Sequence, residues 1–534
     1  MVGLITSRIQ TLLSDLRKGR SLVLEKNHVV ILGWSSKIFS IINELVKANS
    51  NQDRSCIVIL ANKDKVEMQD EINEKVDNRG KTKIICRTGD PIDLNDLEIV
   101  NHHHARSIIL VSSDNDKSDA ENIKGILAIV NHPNRREELY HIVAEIKTSN
   151  NREVANIIGG DELTLAISSE IIARIAVQTC LHAGLSAVYN KLLDFDHVDI
   201  YFNEVPFFYY REFKQILMAY EEITPIGIQR LNGIVLINPR MNTKIKEGDK
   251  IIFIAEDDDV LPPADLSPKP IEYPYLNQGK AQVKDLPRRI LILGWNRQGP
   301  TIIREMDNYV VKGSQVCIVA TEVESITEEV KFIEPIYNLN ISYHYGDITN
   351  RRILNQMQVQ EFNHVMILSY SDRMTVQEAD AHTLVTLMHL RDIKHQKQGS
   401  FTIISEMLDI KNQILAEVAR PDDFIISDHI ISLIVSQLAE KKELNFVFEE
   451  LFDSHGSEFY LKPVSLYINH LHNVNFYTVM EAASLRQEVA IGYRRNCDGG
   501  DSKKGNGVVL NPPKSELITF AQEDKIIVLA ENSS

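Results

Sequence analysis

Short, continuously apolar runs of strand length recur along the first 150 residues, at 28–32, 56–60, 83–86, 107–111 and 141–146. Between them the apolar positions spread to helical spacing, as in Ile38, Ile41, Ile42, Leu45 and Val46, and again across 120–130. Apolar residues three and four apart line one face of a helix. Strands that are apolar at every position must be covered on both faces, which predicts a parallel sheet between two layers of helix. The right-handed crossover then makes the sheet doubly wound and Rossmann-like. The same five runs return at 290–293, 316–319, 341–345, 365–368 and 401–406.

The return is a duplication. Val29-Val30-Ile31-Leu32-Gly33-Trp34 is echoed by Ile290-Leu291-Ile292-Leu293-Gly294-Trp295, an offset of 261. Gly89-Asp90 is echoed by Gly346-Asp347 at 257, and Glu145 by Glu406, again at 261. Blocks in one order at a nearly constant offset mark a repeated unit. The segment after each set of strands is also repeated. Pro225-Ile226-Gly227-Ile228 parallels Ala490-Ile491-Gly492-Tyr493, and Val235-Leu236-Ile237-Asn238-Pro239 parallels Val508-Val509-Leu510-Asn511-Pro512. Glu247-Gly248-Asp249-Lys250 parallels Gln522-Glu523-Asp524-Lys525. Strands joined by Asn-Pro and charged tight turns predict a small α+β lobe. The fold class is therefore α/β: two Rossmann-like, doubly wound parallel sheets, each followed by a small α+β lobe. The expected limits are 27–185 and 186–260 for the first pair, and 288–445 and 446–534 for the second. A proline-rich linker is expected at 261–287. A polar insertion, 498–507, is expected to be a flexible loop.

The remaining sequence features exclude several classes. Lys and Arg number 58 against 74 Asp and Glu, a formal net charge of −16, whereas a nucleic-acid binder carries a basic footprint. No run of 18 apolar residues is present, so no membrane-spanning segment is expected. The first 26 residues read as an amphipathic helix with a basic end, Arg17-Lys18-Gly19-Arg20, rather than a secretory signal. Five scattered cysteines without a CxxC pair suit a reducing compartment and suggest no zinc site of their own.

The turns after the first strands are where a dinucleotide fold places its glycine-rich phosphate loop. Gly33-Trp34-Ser35-Ser36-Lys37-Ile38 retains one glycine of the three, and Gly294-Trp295-Asn296-Arg297-Gln298-Gly299 retains two. Glu322 follows the second strand of the second repeat, where a ribose-binding acid would stand. Gly33, Gly294, Gly299 and Glu322 are thus the candidates for a nucleotide, NAD or ATP, on a degenerate motif. The carboxyl ends of the strands should also gather Asp90, Asp114, Glu145 and Asp347. Carboxylates converging there would suit Ca²⁺. Alternatively they cap helices and turns, a common use of acids. The triplet His102-His103-His104 follows a helix expected at 92–100 and has no Cys or spaced His in sequence, so it reads as a surface turn. No GxSxG, HExxH, Walker A or kinase pattern occurs, and no catalytic residue is assigned. The reading is of a regulator rather than an enzyme, with an NAD(P)-dependent oxidoreductase as the rival.

As an ensemble, the strand-Gly-Trp turn, Cys86-Arg87-Thr88-Gly89-Asp90-Pro91, Ile254-Ala255-Glu256-Asp257-Asp258-Asp259 before the prolines, Glu449-Glu450-Leu451-Phe452 and Val509-Leu510-Asn511-Pro512-Pro513 resemble the Castor/Pollux ion-channel family. The resemblance implies tandem RCK (regulator of conductance) domains that gate a cation pore, potassium in the first instance. It implies four chains forming a ring of eight RCK domains on the cytoplasmic face of a membrane. Residues 1–26 would be the linker after a pore helix. The pore would belong to a longer channel or to a separate pore subunit served by a TrkA-like partner. It also implies Ca²⁺-binding acids at Asp114, Glu145 and Glu406, with Lys147 standing where a further acid would be expected.

Overall fold

The computed structural model describes residues 19–531 except 77, 114–116, 197, 257–260, 278–285, 334, 418–420, 454–455, 470–471 and 500–501. The expected leading helix (to residue 18), Asp114, the acidic run 257–259, residues 278–285 of the linker and part of the 498–507 insertion therefore lie outside the described residues. Two compact units are present. One comprises residues 1–172 with 428–445, and the other 173–427 with 446–534. This division cuts across the repeats, because a helix from the second repeat belongs with the first sheet.

The first sheet runs β1 (Val29–Leu32), β2 (Ser55–Ala61), β3 (Thr82–Thr88), β4 (Ser107–Leu110), β5 (Ile142–Ile146) and β6 (Leu163–Ile167). Its spatial order is β3-β2-β1-β4-β5-β6, with every pair parallel. Helices α1 (Ile38–Ala48), α2 (Lys65–Lys75), α3 (Leu94–Ile99), α4 (Ser118–Val130), α5 (Arg152–Gly159) and α6 (Ser168–Leu181) accompany it. All four residues of β1 and all five of β5 are buried, as strands covered on both faces require. α1 buries Ile38, Ile41, Ile42 and Leu45, the stripe its spacing predicts. α3 starts two residues later than expected, because Asp93 caps it by accepting from Asn95 N and Asp96 N.

Next come α7 (Leu185–Leu193), β7 (Asp199–Asn203), α8 (Phe213–Leu217), β8 (Thr224–Gln229), β9 (Val235–Ile237) and β10 (Lys250–Ala255), the strands forming an antiparallel sheet in the order β7-β10-β8-β9. The second Rossmann-like sheet contains β11 (Arg289–Leu293), β12 (Ser314–Ala320), β13 (Leu339–Tyr345), β14 (His364–Ile367), β15 (Thr402–Met407) and β16 (Asp423–Ile426). Its order, β13-β12-β11-β14-β15-β16, reproduces the first. Its helices are α9 (Gly299–Tyr309), α10 (Val323–Lys331), α11 (Arg351–Gln356), α12 (Val376–Lys397), α13 (Ile410–Glu417) and α14 (Ser427–Glu440). The last lobe holds α15 (Leu444–Leu451), β17 (Glu458–Pro463), β18 (Asn473–Asn475), α16 (Phe476–Leu485), β19 (Val489–Arg494), β20 (Val508–Leu510), β21 (Leu517–Thr519) and β22 (Lys525–Ala530). Four of these strands repeat the earlier antiparallel order, as β17-β22-β19-β20.

Each large sheet has a sixth strand beyond the five expected. β6 and β16 run straight into α6 and α14 with no Gly or Pro between, so the sequence carries no punctuation where strand becomes helix. The duplication reaches fine detail. The ladder slips at Ile226 in one small sheet and at Ile491 in the other, a β-bulge at matching positions. Asn238 and Asn511 both adopt left-handed backbone (φ 48° and 47°) and donate N–H to those bulged residues' carbonyls at 2.8 and 2.7 Å. Asparagine tolerates that conformation better than most side chains do.

Candidate functional site

In an open α/β sheet the crevice opens at the carboxyl ends of the strands, and both large sheets build theirs from matching residues. In the first, Gly33 (φ 101°) donates to Leu60 O at 2.9 Å, and an added Cβ would sit 2.9 Å from Val111 O. The turn then carries Lys37, whose side chain is 6% exposed. Its Nζ lies 2.9 Å from Glu145 Oε1 and 3.9 Å from Asp428 Oδ1 on α14. Glu145, equally buried, accepts Ser112 N on its other oxygen at 3.1 Å. Ser36 donates to Asp428 Oδ2 at 2.9 Å. The first crevice thus contains its own cation. Trp34 lies beneath Lys63 Nζ (4.7 Å to the ring centre) and edge-on to Phe39.

In the second crevice Gly294 (φ 87°) donates to Val319 O at 3.0 Å, and an added Cβ would lie 2.4 Å from Leu368 O. Trp295 is fully buried and donates Nε1–H to Glu329 at 2.8 Å. A Cβ on Gly299 would meet the Trp295 ring at 2.5 Å. The second glycine of this degenerate motif therefore makes room for an indole. Glu322 is paired with Arg373 at 2.5 Å.

Glu406 occupies the repeat position of Glu145 but has different partners. It accepts from Ser427 Oγ at 2.7 Å, Ser369 N at 3.0 Å and Asn296 Nδ2 at 2.8 Å, all uncharged donors. Burial pushes its carboxyl up to about 7 against the pull of those hydrogen bonds, and the charge of Asp372 adds to the push. No ion pair reaches it among the described residues. Gln298 stands where the first repeat has Lys37, and its Oε1, like Ser369 Oγ, has no hydrogen-bond partner among the described residues.

Asp90 and Asp347 serve as turn formers at the exposed ends of β3 and β13. Asp90 Oδ1 accepts Ile92 N at 3.1 Å, and Asp347 Oδ1 accepts Thr349 N and Thr349 Oγ1 at 2.9 and 2.7 Å. Asp114 lies outside the described residues. Among the described residues, neither crevice gathers three ligating groups; the one cluster of that kind is formed by histidines elsewhere.

Sequence reading missed Lys37 and a second matched pair. Asp119 accepts Lys147 N and Thr148 N at 2.7 and 3.2 Å, and Asn151 Nδ2 at 2.9 Å. Asp380 does the same for Leu408 N, Asp409 N and Asn412 Nδ2 at 3.0, 3.1 and 2.7 Å. Both pairs keep the 261-residue offset, which was the signal available for them.

Gly294 and Gly313 both have positive φ, but beside Gly313 the nearest atom to an added Cβ is Pro287 Cγ at 3.9 Å. Gly313→Ala should cost only backbone strain, about 1 kcal/mol, and Gly294→Ala about 2–3 kcal/mol, because Leu368, just past β14, is held in place by its N–H bond to Leu293 O at 2.9 Å. Urea unfolding of the two variants measures the difference.

Residues 24–157 match the family described as "Calcium-activated potassium channel slowpoke-like RCK domain", and residues 169–270 match "Castor and Pollux, part of voltage-gated ion channel". The Oryza sativa subsp. japonica protein named Probable ion channel CASTOR is 30% identical, across 99% of this chain and 62% of its own length. Probable ion channel POLLUX of Arabidopsis thaliana is 29% identical, across 100% of this chain and 68% of its own. Ion channel DMI1 of Medicago truncatula is 29% identical, across 99% and 63%. The chain therefore spans a little over three-fifths of the rice and Medicago relatives. Among solved structures, the human SLO3 gating ring aligns with a TM-score of 0.64 at 15% identity, over 95% of this chain and 100% of that one, a likeness of fold.

Proposed function

We propose that this chain, similar along its length to the Castor/Pollux ion channels, is a member of that family and the gating region of a cation channel, acting as a lever rather than as an enzyme. Four chains would close a ring of eight RCK domains on the cytoplasmic face of a membrane. The pore would be joined to this chain or lie on a separate subunit. The slowpoke-like match of residues 24–157 favours potassium as the conducted ion. No helix among the described residues is long and apolar enough to cross a membrane.

The observation that carries the proposal is the difference between two crevices built on one frame. The first holds Glu145 against a lysine of its own. The second holds Glu406 against neutral donors, and binding of a cation or a proton would relieve the unmet charge. A ligand shifts a conformational equilibrium only by its differential affinity for the two states. A coupling of about 1–3 kcal/mol per site, summed over four chains, is about 4–12 kcal/mol. Taking a two-state gate from 1:99 to 99:1 needs about 5.5 kcal/mol.

Ca²⁺ is the first ligand to test, at Asp347 and Glu406 in the second repeat and at Asp90, Asp114 and Glu145 in the first. Small-angle scattering of the full chain should report a Ca²⁺-dependent change in radius. Asp347→Asn with Glu406→Gln should remove it, and Asp114→Asn with Glu145→Gln tests the other crevice. A response unaltered in both double variants would exclude Ca²⁺ from these crevices. Calorimetry with NADH and ATP separates a nucleotide ligand from Ca²⁺, and turnover of NADH would favour the oxidoreductase reading.

A further inference from the structure

The loops at the amino-terminal edge of the first sheet, opposite its crevice, bring three histidines together. His102 and His103 lie in the turn between α3 and β4, and His132 follows α4 on the way to β5. One ring nitrogen from each lies within 4.8 Å of the others. The ring centres are 3.8 Å apart for His102 and His103, and 4.9 Å from each of these to His132. Glu98, in the last turn of α3, brings Oε1 to 3.4 Å from His103 Nε2 and 3.6 Å from His132 Nε2. The sequence reading of this triplet as a plain surface turn missed His132, which the fold returns from 30 residues away.

We propose that His102, His103 and His132, with Glu98 at the rim, form a binding site for a divalent d-block cation of the Zn²⁺ class. His102 is fully buried, and its Nδ1 lies 2.9 Å from Leu97 O. A carbonyl only accepts, so Nδ1 carries the proton and Nε2 presents a lone pair. That Nε2 has no hydrogen-bond partner among the described residues. A buried acceptor left unpaired is costly unless something completes it. His103 turns Nδ1 to Tyr140 OH at 2.7 Å, and its Nε2, 3.4 Å from the Glu98 carboxylate, carries a proton that must pass to Nδ1 when a metal binds. Such outer hydrogen bonds fix the ring and the tautomer of a metal-binding histidine.

Imidazole donors select Zn²⁺, Ni²⁺ or Cu²⁺ over Ca²⁺ and Mg²⁺, which prefer oxygen. A tetrahedral ion about 2.0–2.1 Å from each nitrogen requires donors about 3.3 Å apart, so the nitrogens must close by up to about 1.5 Å. His132 must also change partners. Its Nε2 lies 3.2 Å from Leu94 O and its Nδ1 accepts Asn134 N at 3.2 Å. On binding through Nε2, the proton passes to Nδ1 and the turn at 132–134 shifts. Glu98, with its side chain 38% exposed, leaves the site open to solvent for entry.

The test is titration of the EDTA-treated full chain with Co²⁺, followed by Zn²⁺. Expected are one Co²⁺ per chain with the visible absorption of tetrahedral cobalt, its displacement by Zn²⁺, and no competition from excess Ca²⁺. Thermal unfolding should shift upward with Zn²⁺. His103→Gln, at the rim and 13% exposed, should fold normally and lose about 100-fold in affinity. His104→Gln removes the neighbouring histidine, which pairs with Asn101 instead, and should bind as the unmodified chain does. Absence of the cobalt spectrum, or undiminished binding in His103→Gln, would overturn the site.

Discussion

Lys37→Met is expected to cost about 3–5 kcal/mol of unfolding free energy, the usual penalty for stranding one member of a buried ion pair. Lys37 and Glu145 have side chains 6% and 3% exposed, 2.9 Å apart, so neither can recover its lost partner from water. Asp428, 3.9 Å from the same ammonium, adds a second negative charge to the group left behind. Glu145→Gln alone should cost less, because Lys37 keeps Asp428 as a partner. The double variant Lys37→Met/Glu145→Leu should recover much of the loss, since apolar groups of similar volume often replace a buried pair at little cost. Denaturant unfolding of the parent, Lys37→Met, Glu145→Leu and the double variant gives the coupling energy. A Lys37→Met protein as stable as the parent would mean that the crevice admits water.

Glu406→Gln is expected to change the pH dependence of stability. The folded-state carboxyl titrates at about 7, against an ordinary value of 4.5. Between those values the folded state holds a proton that the unfolded chain releases. This contribution is complete below about pH 4.5 and is lost as the pH rises through about 7, a fall of about 3 kcal/mol. Glutamine cannot ionise. Its carbonyl can accept from Ser369 N and Asn296 Nδ2 as the carboxylate does, and its amide can donate to Ser427 Oγ if that hydroxyl turns. The variant should therefore match the parent near pH 5 and exceed it by about 2–3 kcal/mol at pH 8. The difference between the two curves isolates this group from the others that titrate in the range, Glu458 among them. Parallel curves would place a cation beside Glu406 in the protein as purified.

The large sheets were legible because a strand buried on both faces has no polar alternation to obscure it, and β1, β5 and β11 read directly as apolar runs. The Asn-Pro turns were equally plain, because few residues other than Gly and Asn adopt the backbone seen at Asn238 and Asn511. β6 was not legible. Leu163-Thr164-Leu165-Ala166-Ile167 suits a helix as readily as a strand, and the sheet rather than the segment decides. Gly299 followed a sequence rule to the wrong tenant, since a motif counts glycines and does not see that an indole fills the space. Lys37 was invisible for another reason. A lysine in a turn normally meets water, and only the fold brings it to Glu145, 108 residues on, and to Asp428 beyond. His132 joined its partners by the same route.

The membership of α14 in the first compact unit bears on biosynthesis. Residues 428–445 complete a body whose other residues end at 172. A ribosome adding roughly 5–20 residues per second makes that interval on the order of 10–50 s. During that time Lys37 must do without Asp428, and apolar surface that α14 covers stands bare. The nascent first sheet thus stays incomplete until the last fifth of the chain emerges, and a polypeptide ending before α14 would keep that exposure for good.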